Sequence, residues 1–341
     1  MKQYLISGGD RYYKANLHCH STDSDGKMTP EELKEIYKSA GYSVLAYSDH
    51  NVLVDHSDLS DESFLAMTAT EANIERKGEG HSVYHPCYHI NFYHPDPHHV
   101  ALPCFSTKVW SKRRDLLEAQ PYIGTPDYVR DYHKINEMIN EYAKHGFIAM
   151  LNHPVWSQQT AEDYRDLDTT NIFAMEIYNH DCNVMGYNEI NDDIFDTMLK
   201  RGQTLFCTAT DDNHNHHPRG TAMWDSLGGF VMIRAKELSQ PAIYEALKAG
   251  DFYASTGPLI HEMYIEDNTL HITTSPSAKI ALVTGVRRAK VAYANSPHTP
   301  LTHASFSLDT IHPGYFRVIV FDDRGRRAWS QPVFGEFNGV R

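Results

Sequence analysis

The sequence predicts a two-part protein, a closed or nearly closed α/β barrel over residues 1–256 followed by a small β-sandwich over residues 257–341. Three observations carry this expectation. Between residues 14 and 250, short β-rich runs alternate with helix-like segments that stop near a glycine, which is βα alternation. Most of the runs are nearly continuously apolar, as suits strands covered on both faces. Beyond Ser255 the helix signals vanish, and short alternating segments separated by Pro, Asn, Asp and Gly take over.

The clearest helix is the first. Thr29 stands as N-cap with Pro30 at N1 and Glu32 at N3, a capping box, while Leu33, Ile36, Tyr37 and Ala40 form one apolar face that Gly41 ends. Similar faces run through Ile135, Met138, Ile139 and Tyr142 to Gly146, through Ile194, Met198 and Leu199 to Gly202, and through Ile243, Ala246 and Leu247 to Gly250. Strands are expected over 44–47, 64–70, 88–93, 147–151, 173–178, 205–210 and 230–233. Residues 94–130 carry several prolines and the cluster Lys108, Lys112, Arg113 and Arg114 without periodicity, and read as an insertion at the barrel mouth. In the tail, 270–273, 280–283 and 316–321 alternate as strands, with Phe316, Trp329 and Phe334 expected in a sandwich core.

Composition narrows the function. Among 341 residues, 31 Lys plus Arg face 44 Asp plus Glu for a net charge of −13, and no basic run stands out, so a nucleic-acid surface built on phosphate neutralisation is not expected. No apolar run approaches the ~18 residues needed to span a bilayer, and the first nine residues lack a signal-like core, so a cytoplasmic protein is expected. The five cysteines are scattered without a CxxC pair and are expected to be free buried thiols. The anomaly is histidine, with 22 residues.

Strand alternation puts Asn16, His18 and His20 on one side of an extended segment, with Asp25 in the following loop able to add an oxygen. An HxH pair alone is weak evidence for a metal site, since two exposed polar positions on an edge strand read the same way. The pattern gains weight because ligand-type residues recur at or near the expected strands: His50, Glu71, His89, His153, Glu176, and Asp212 with His214. In a parallel barrel the strand ends share one rim, so these groups converge on a metal centre.

The segments NLHCHSTDSDG (16–26), AYSDHN (46–51), ATEAN (69–73), YHINFY (88–93), LNHPVW (151–156) and TDDNH (210–214), taken in order, resemble the polymerase and histidinol phosphatase (PHP) superfamily. AGDFYASTGP (249–258) and the tail ending RAWSQPVF (327–334) resemble its carbaryl-hydrolase-like branch, which carries a C-terminal β domain. The resemblance implies a distorted (β/α)7 barrel holding two or three divalent ions, Mn, Zn or Fe. The ligands it implies are His18, His20, Asp25, His50, Glu71, His89, His153, Asp212 and His214, with Asp25 standing where some relatives place His. Asp212 is preferred to Asp211 because it forms the DxH spacing with His214, and Asp49 is expected to fix the His50 tautomer.

The expected activity is a metal-dependent hydrolase acting on a small, anionic phosphorylated substrate, with a hydroxide bridging the ions as nucleophile. His214, Asp212 and His180 are the catalytic candidates, and Arg219 and His216 the substrate-binding ones. A solvated-loop reading stands beside the substrate reading for His180, His216, His217 and Arg219. Two other functions stay open, a carboxylic ester, carbamate or amide hydrolase with the same metals, and a catalytically silent binding module. His81, His85, His94, His98 and His99 fit the mouth, adventitious metal binding or a polar insertion, of which the insertion is expected, and Tyr253, Ser255 and Thr256 fit either a functional motif or a domain junction.

Overall fold

The first helix shows how local sequence sets the frame. Thr29 Oγ1 accepts from the Glu32 amide at 3.3 Å and the Thr29 amide donates to Glu32 Oε2 at 2.9 Å, so the expected capping box forms, and Leu33 and Tyr37 bury the apolar face. In the computed structural model, which describes residues 2–76, 84–287, 289–296, 298–309, 311 and 314–335, the chain runs as follows. The elements are β1 (Gln3–Ile6), β2 (Tyr12–Asn16), α1 (Pro30–Ser39), β3 (Val44–Tyr47), β4 (Leu65–Glu75), β5 (Cys87–Tyr93), α2 (Arg114–Ala119) and α3 (Ile135–Lys144). Then come β6 (Ile148–Leu151), β7 (Ile172–Asn179), α4 (His180–Val184), α5 (Asp192–Lys200), β8 (Phe206–Thr210), β9 (Phe230–Arg234) and α6 (Gln240–Ala249). The remainder is strand: β10 (Phe252–Ser255), β11 (Ile260–Glu266), β12 (Thr269–Ser277), β13 (Lys279–Thr284), β14 (Lys290–Tyr293), β15 (Leu301–Ser307), β16 (Gly314–Phe321), β17 (Arg327–Trp329) and β18 (Val333–Gly335). His81 lies outside the described residues.

Two compact units divide the chain, Tyr13–Asp251 and a second formed by Met1–Tyr12 with Phe252–Arg341. The first twelve residues, expected with the barrel, therefore cluster with the tail, because β1 pairs antiparallel with β11 through Gln3↔Ile265 and Tyr4↔Tyr264. The junction also falls a few residues earlier than the expected 256/257.

The larger unit is mixed α/β. Its strands lie in the order β9-β2-β3-β4-β5-β6-β7-β8. β2, β3 and β4 are mutually parallel, as are β6, β7 and β8, and every side chain of β3, β5, β6 and β7 is buried, as their continuous apolar texture requires. β5 departs from the all-parallel expectation: it runs antiparallel to both β4 and β6. The segments that follow β2 and β8 meet in a parallel bridge, Cys19↔Asn213, with the Asp212 amide donating to the His18 carbonyl at 2.9 Å. The insertion over 94–130 holds one short helix, α2.

The smaller unit holds two antiparallel sheets, β1-β11-β12-β15 and β14-β13-β16-β17-β10, with β18 beside β16. Leu270, Ile272, Ile280, Leu282, Phe316, Val318, Val320 and Trp329 are buried there, whereas Phe334, expected in the core, is exposed because it lies on the short terminal strand β18. All five cysteines are free and buried. No helix among the described residues is long and apolar enough to cross a membrane.

Candidate metal centre

The chain leaving β2 stays extended, so Leu17 and Cys19 enter the core while His18 and His20 share the opposite side, all fully buried. β4 brings Glu71 to the same point, and His50, three residues past β3, bridges to it in parallel fashion. The reversal of β5 explains His89: it sits near the start of its strand yet opposite Asn73, beyond Glu71, because an antiparallel strand begins where its neighbours end. The segments after β6 and β8 supply His153 and Asp212, both with positive φ.

Glu71 is the hub. Its Oε1 lies 3.1 Å from His89 Nδ1, 3.3 Å from His153 Nε2 and 3.4 Å from His18 Nε2, and its Oε2 lies 2.9 Å from His50 Nδ1 and 3.3 Å from His20 Nε2. Asp212 Oδ1 lies 3.0 Å from His18 Nε2 and 2.9 Å from His20 Nε2. Asp25 Oδ1 stands 3.4 Å from His214 Nε2 and 3.8 Å from His50 Nε2. Among the described residues the centre holds three groups of donor atoms, each with members within 4.8 Å of one another: His18, His20, Glu71 and Asp212; His50, Glu71 and His89; and His20, Asp25, His50 and His214, while Glu75 and Cys87 form a further group with His89, and Asp23, Asp49 and His56 another.

These groups fit divalent cations. His18 Nε2 and His20 Nε2 approach to 3.1 Å, where two imidazole lone pairs repel unless a proton or a cation lies between them. His50 Nδ1 and Glu71 Oε2 are buried and 2.9 Å apart, yet neither has a hydrogen-bond partner among the described residues. A buried polar atom left in that state is costly, and ligation relieves it. Mixed imidazole and carboxylate donors suit Mn, Fe and Zn.

Burial opposes charge on His18, but Asp212, Glu71 and Glu176 outweigh it and push the imidazole up to about 10. His153 rises to about 9 against burial through Glu71, Asp212 and Glu176. Burial works against the ionised forms of Glu71 and Asp212 too, but the surrounding imidazoles hold both well below the usual carboxylate range. His50 moves the other way, lowered by burial and by the neighbouring His20.

A second layer orients the first. Glu176 Oε1 lies 2.7 Å from His18 Nδ1 and accepts from Thr210 Oγ1, while Oε2 accepts from the His153 amide and from Asn179 Nδ2, each at 2.8 Å. A proton on Nδ1 shared with Glu176 turns the Nε2 lone pair of His18 toward the donor group. Glu189 accepts from the Val155 and Trp156 amides, both at 3.0 Å, fixing the loop that carries His153.

Asp49 does not serve His50. Its oxygens accept from the Ser21 amide at 2.8 Å, Ser21 Oγ at 2.7 Å and Ser24 Oγ at 2.6 Å, which orders the loop delivering Asp25. Gly26 is required in that loop, since a Cβ would stand 2.4 Å from the His20 carbonyl oxygen. Asp211 is likewise spoken for, accepting from the amides of Leu227, Gly228 and Gly229 and from Tyr37 Oη, so the carboxylate at the centre is Asp212.

Above the centre opens a cavity of about 1010 Å3, lined among others by Asp25, His50, Glu71, His89, His153, Asp212, His214 and His216. Arg219 and His180, expected on its open face, are not part of its lining. Arg219 is exposed. His180 is half-buried, its Nδ1 2.8 Å from Tyr178 Oη and its ring so close to Gly228 that a Cβ there would stand 2.2 Å away. His94 and His99 stack at 4.0 Å, and His98 pairs with Asp55; with His85 they lie outside the cavity lining.

Residues the motifs did not reveal also line the cavity. Asp181, 3.9 Å from His214 Nδ1, has its carboxyl raised to about 7 by burial and by Asp212. Arg130 has Nη1 donating to Asn51 Oδ1 and the Asn73 carbonyl, while its buried Nε and Nη2 have no hydrogen-bond partner among the described residues. The insertion over 94–130, aperiodic in sequence, supplies Arg130, Lys108 and Trp110; of its Lys-Arg cluster only Lys108 lines the cavity.

No family model matches the chain. It is similar to a 5'-3' exoribonuclease of Haemophilus influenzae, with 33% identity over 73 residues, 21% of this chain and 27% of that protein, so the likeness spans about a quarter of the relative. Among solved structures, it is similar to a two-domain protein from Bacteroides vulgatus containing a predicted PHP-like metal-dependent phosphoesterase, at 17% identity and a TM-score of 0.44 over 96% of this chain and 97% of the other. An amidohydrolase from Chromobacterium violaceum with bound sulfate and no metal is similar at 14% identity and a TM-score of 0.42, covering 69% of this chain and 96% of the other.

Proposed function

We propose that the protein is a PHP-like metal-dependent hydrolase and that its substrate is a small phosphoester. The observation that carries this reading is the convergence of imidazoles and carboxylates from distant segments on Glu71, with His50 Nδ1 and Glu71 Oε2 buried and lacking hydrogen bonds among the described residues. The same reading takes the strands of the larger unit as a distorted (β/α)7 barrel, supported by the Cys19↔Asn213 bridge between the segments that follow β2 and β8.

His18, His20, His50, Glu71, His89 and Asp212, with Asp25 and His214, would hold divalent ions, which when bound would supply Lewis acidity and lower the pKa of water toward about 7. The chain's own residues do the rest. Glu176 holds His18, Asn152 Nδ2 donates to Glu71 Oε1 at 2.7 Å, and Asn179 Nδ2 donates to Asp212 Oδ2 at 3.1 Å, so the central acceptors keep fixed directions. Arg130 in the cavity wall, with Nε and Nη2 lacking a hydrogen-bond partner among the described residues, favours an anion over a neutral amide or carbamate, while Lys108 in the same wall is paired with Asp127 at 3.3 Å. His216 lines the same space and is available to an anionic group.

The test is metal content together with turnover across parallel phosphoester and carboxylic ester panels, for wild type and His18→Ala. Bound Mn, Zn or Fe and phosphoester turnover, both lost in the variant, are expected. Tight metal with no phosphoester turned over defeats the phosphoester assignment, and turnover confined to the other panel transfers it to carbonyl substrates.

A further inference from the structure

The floor of the cavity is polar, but aromatic surface begins one ring away from it. Trp110 stands edge-on to His50 with ring centroids 5.5 Å apart, and Trp156 contacts His89 at 5.0 Å and His153 at 4.9 Å. Trp110 is anchored through its carbonyl, which accepts from Asn51 Nδ2 at 3.0 Å, and Asn51 follows His50 in the chain. Farther out, Val129 (77% exposed), Met185 (48%) and Met223 (39%) line the same cavity, as does Trp110 itself at 48%. Single exposed apolar residues need no explanation, but an exposed tryptophan against a ligand imidazole, in a cavity whose lining holds three more exposed apolar side chains, marks a binding surface. Tryptophan offers a flat face to a ring, and unbranched thioethers adapt to one.

We infer that this site takes phosphomonoesters with an aromatic leaving group, the ring resting against Trp110 while the phosphoryl group meets the polar floor. The inference rests on the hydrolase reading above. In the reaction, the oxygen of water bonds to phosphorus, the bond from phosphorus to the ring oxygen breaks, and the phenolate released takes up a proton, giving a phenol and inorganic phosphate.

The test uses the full-length, metal-loaded protein as wild type, Trp110→Ala and Trp110→Phe, with 2-naphthyl phosphate and glycerol 2-phosphate as substrates. Comparing each variant with wild type on one substrate at a time cancels the greater intrinsic reactivity of aryl esters. Trp110→Ala should cut kcat/KM for the naphthyl ester at least tenfold more than for the glycerol ester, and Trp110→Phe should restore most of the difference. Calorimetric binding of the non-hydrolysable naphthylmethylphosphonate should weaken at least tenfold in Trp110→Ala. Equal losses on both esters, or an unmoved phosphonate affinity, overturn the inference while leaving the hydrolase intact. If neither ester is hydrolysed and phosphonate binding still depends on Trp110, aromatic recognition stands and the phosphoester chemistry falls.

Discussion

Glu176 never needs to touch an ion to control one. It fixes the Nδ1 side of His18 and, through the His153 amide, the start of a second ligand loop. Glu176→Gln should therefore weaken metal binding by about 10- to 100-fold, the usual loss on removing such an orienting partner, read by competition with a chelator. Stripped of metal by a chelator, the centre also sets a pH dependence. His18 at about 10 and His153 at about 9 lie above the ~6.5 of an exposed imidazole, so their contribution to stability is full below about pH 6.5 and is lost as pH rises through about 9 to about 10. Urea denaturation of chelator-treated protein should show stability falling over that window. Metal affinity should rise across it, because the ion displaces those protons, and calorimetry in buffers of different ionisation enthalpy should record their release. At this scale the sequence was most informative: strand alternation aligns His18 with His20, and DxH spacing favoured Asp212 over Asp211. Neighbouring the motifs in the chain does not decide which way the His180 ring points where the chain enters α4, and Asp181, one residue on, is the group that lines the cavity.

Elements carried their own signals unequally. The box at Thr29 is local, and Thr29→Ala should destabilise the protein by about 1 kcal/mol, measured by urea denaturation. Gly26→Ala should do more damage to the site than to the fold, since the clash with the His20 carbonyl moves the Asp25 loop: a sharper loss of metal than of melting temperature is expected. The direction of β5 was not read from its apolar pattern, because buried strands look alike whichever way they run. A signal was present nonetheless. The expected strands at 64–70 and 88–93 have no helix-like segment between them, and a parallel pair needs a crossover. The insertion over 94–130 offered no periodicity at all, so Trp110 and Arg130 reach the cavity by long-range packing that no local window encodes.

For the whole molecule, the partition into units is the feature least visible in the sequence. β1 looks like the start of the α/β unit because it precedes β2, yet its hydrogen bonds go to β11. Deleting residues 2–9 should therefore raise hydrogen exchange in β11 and β12 while metal content is retained; loss of metal with unchanged exchange would contradict that assignment.

The hub position of Glu71 has a consequence for how the centre fills. Glu71 belongs to two donor groups, and His20 and His50 each serve two as well, so none of the three groups is chemically independent of the others. Occupancy of one group must alter the affinity of the next. Loading should thus follow a linked, ordered isotherm, and a chelator should strip the ions in stages rather than at random.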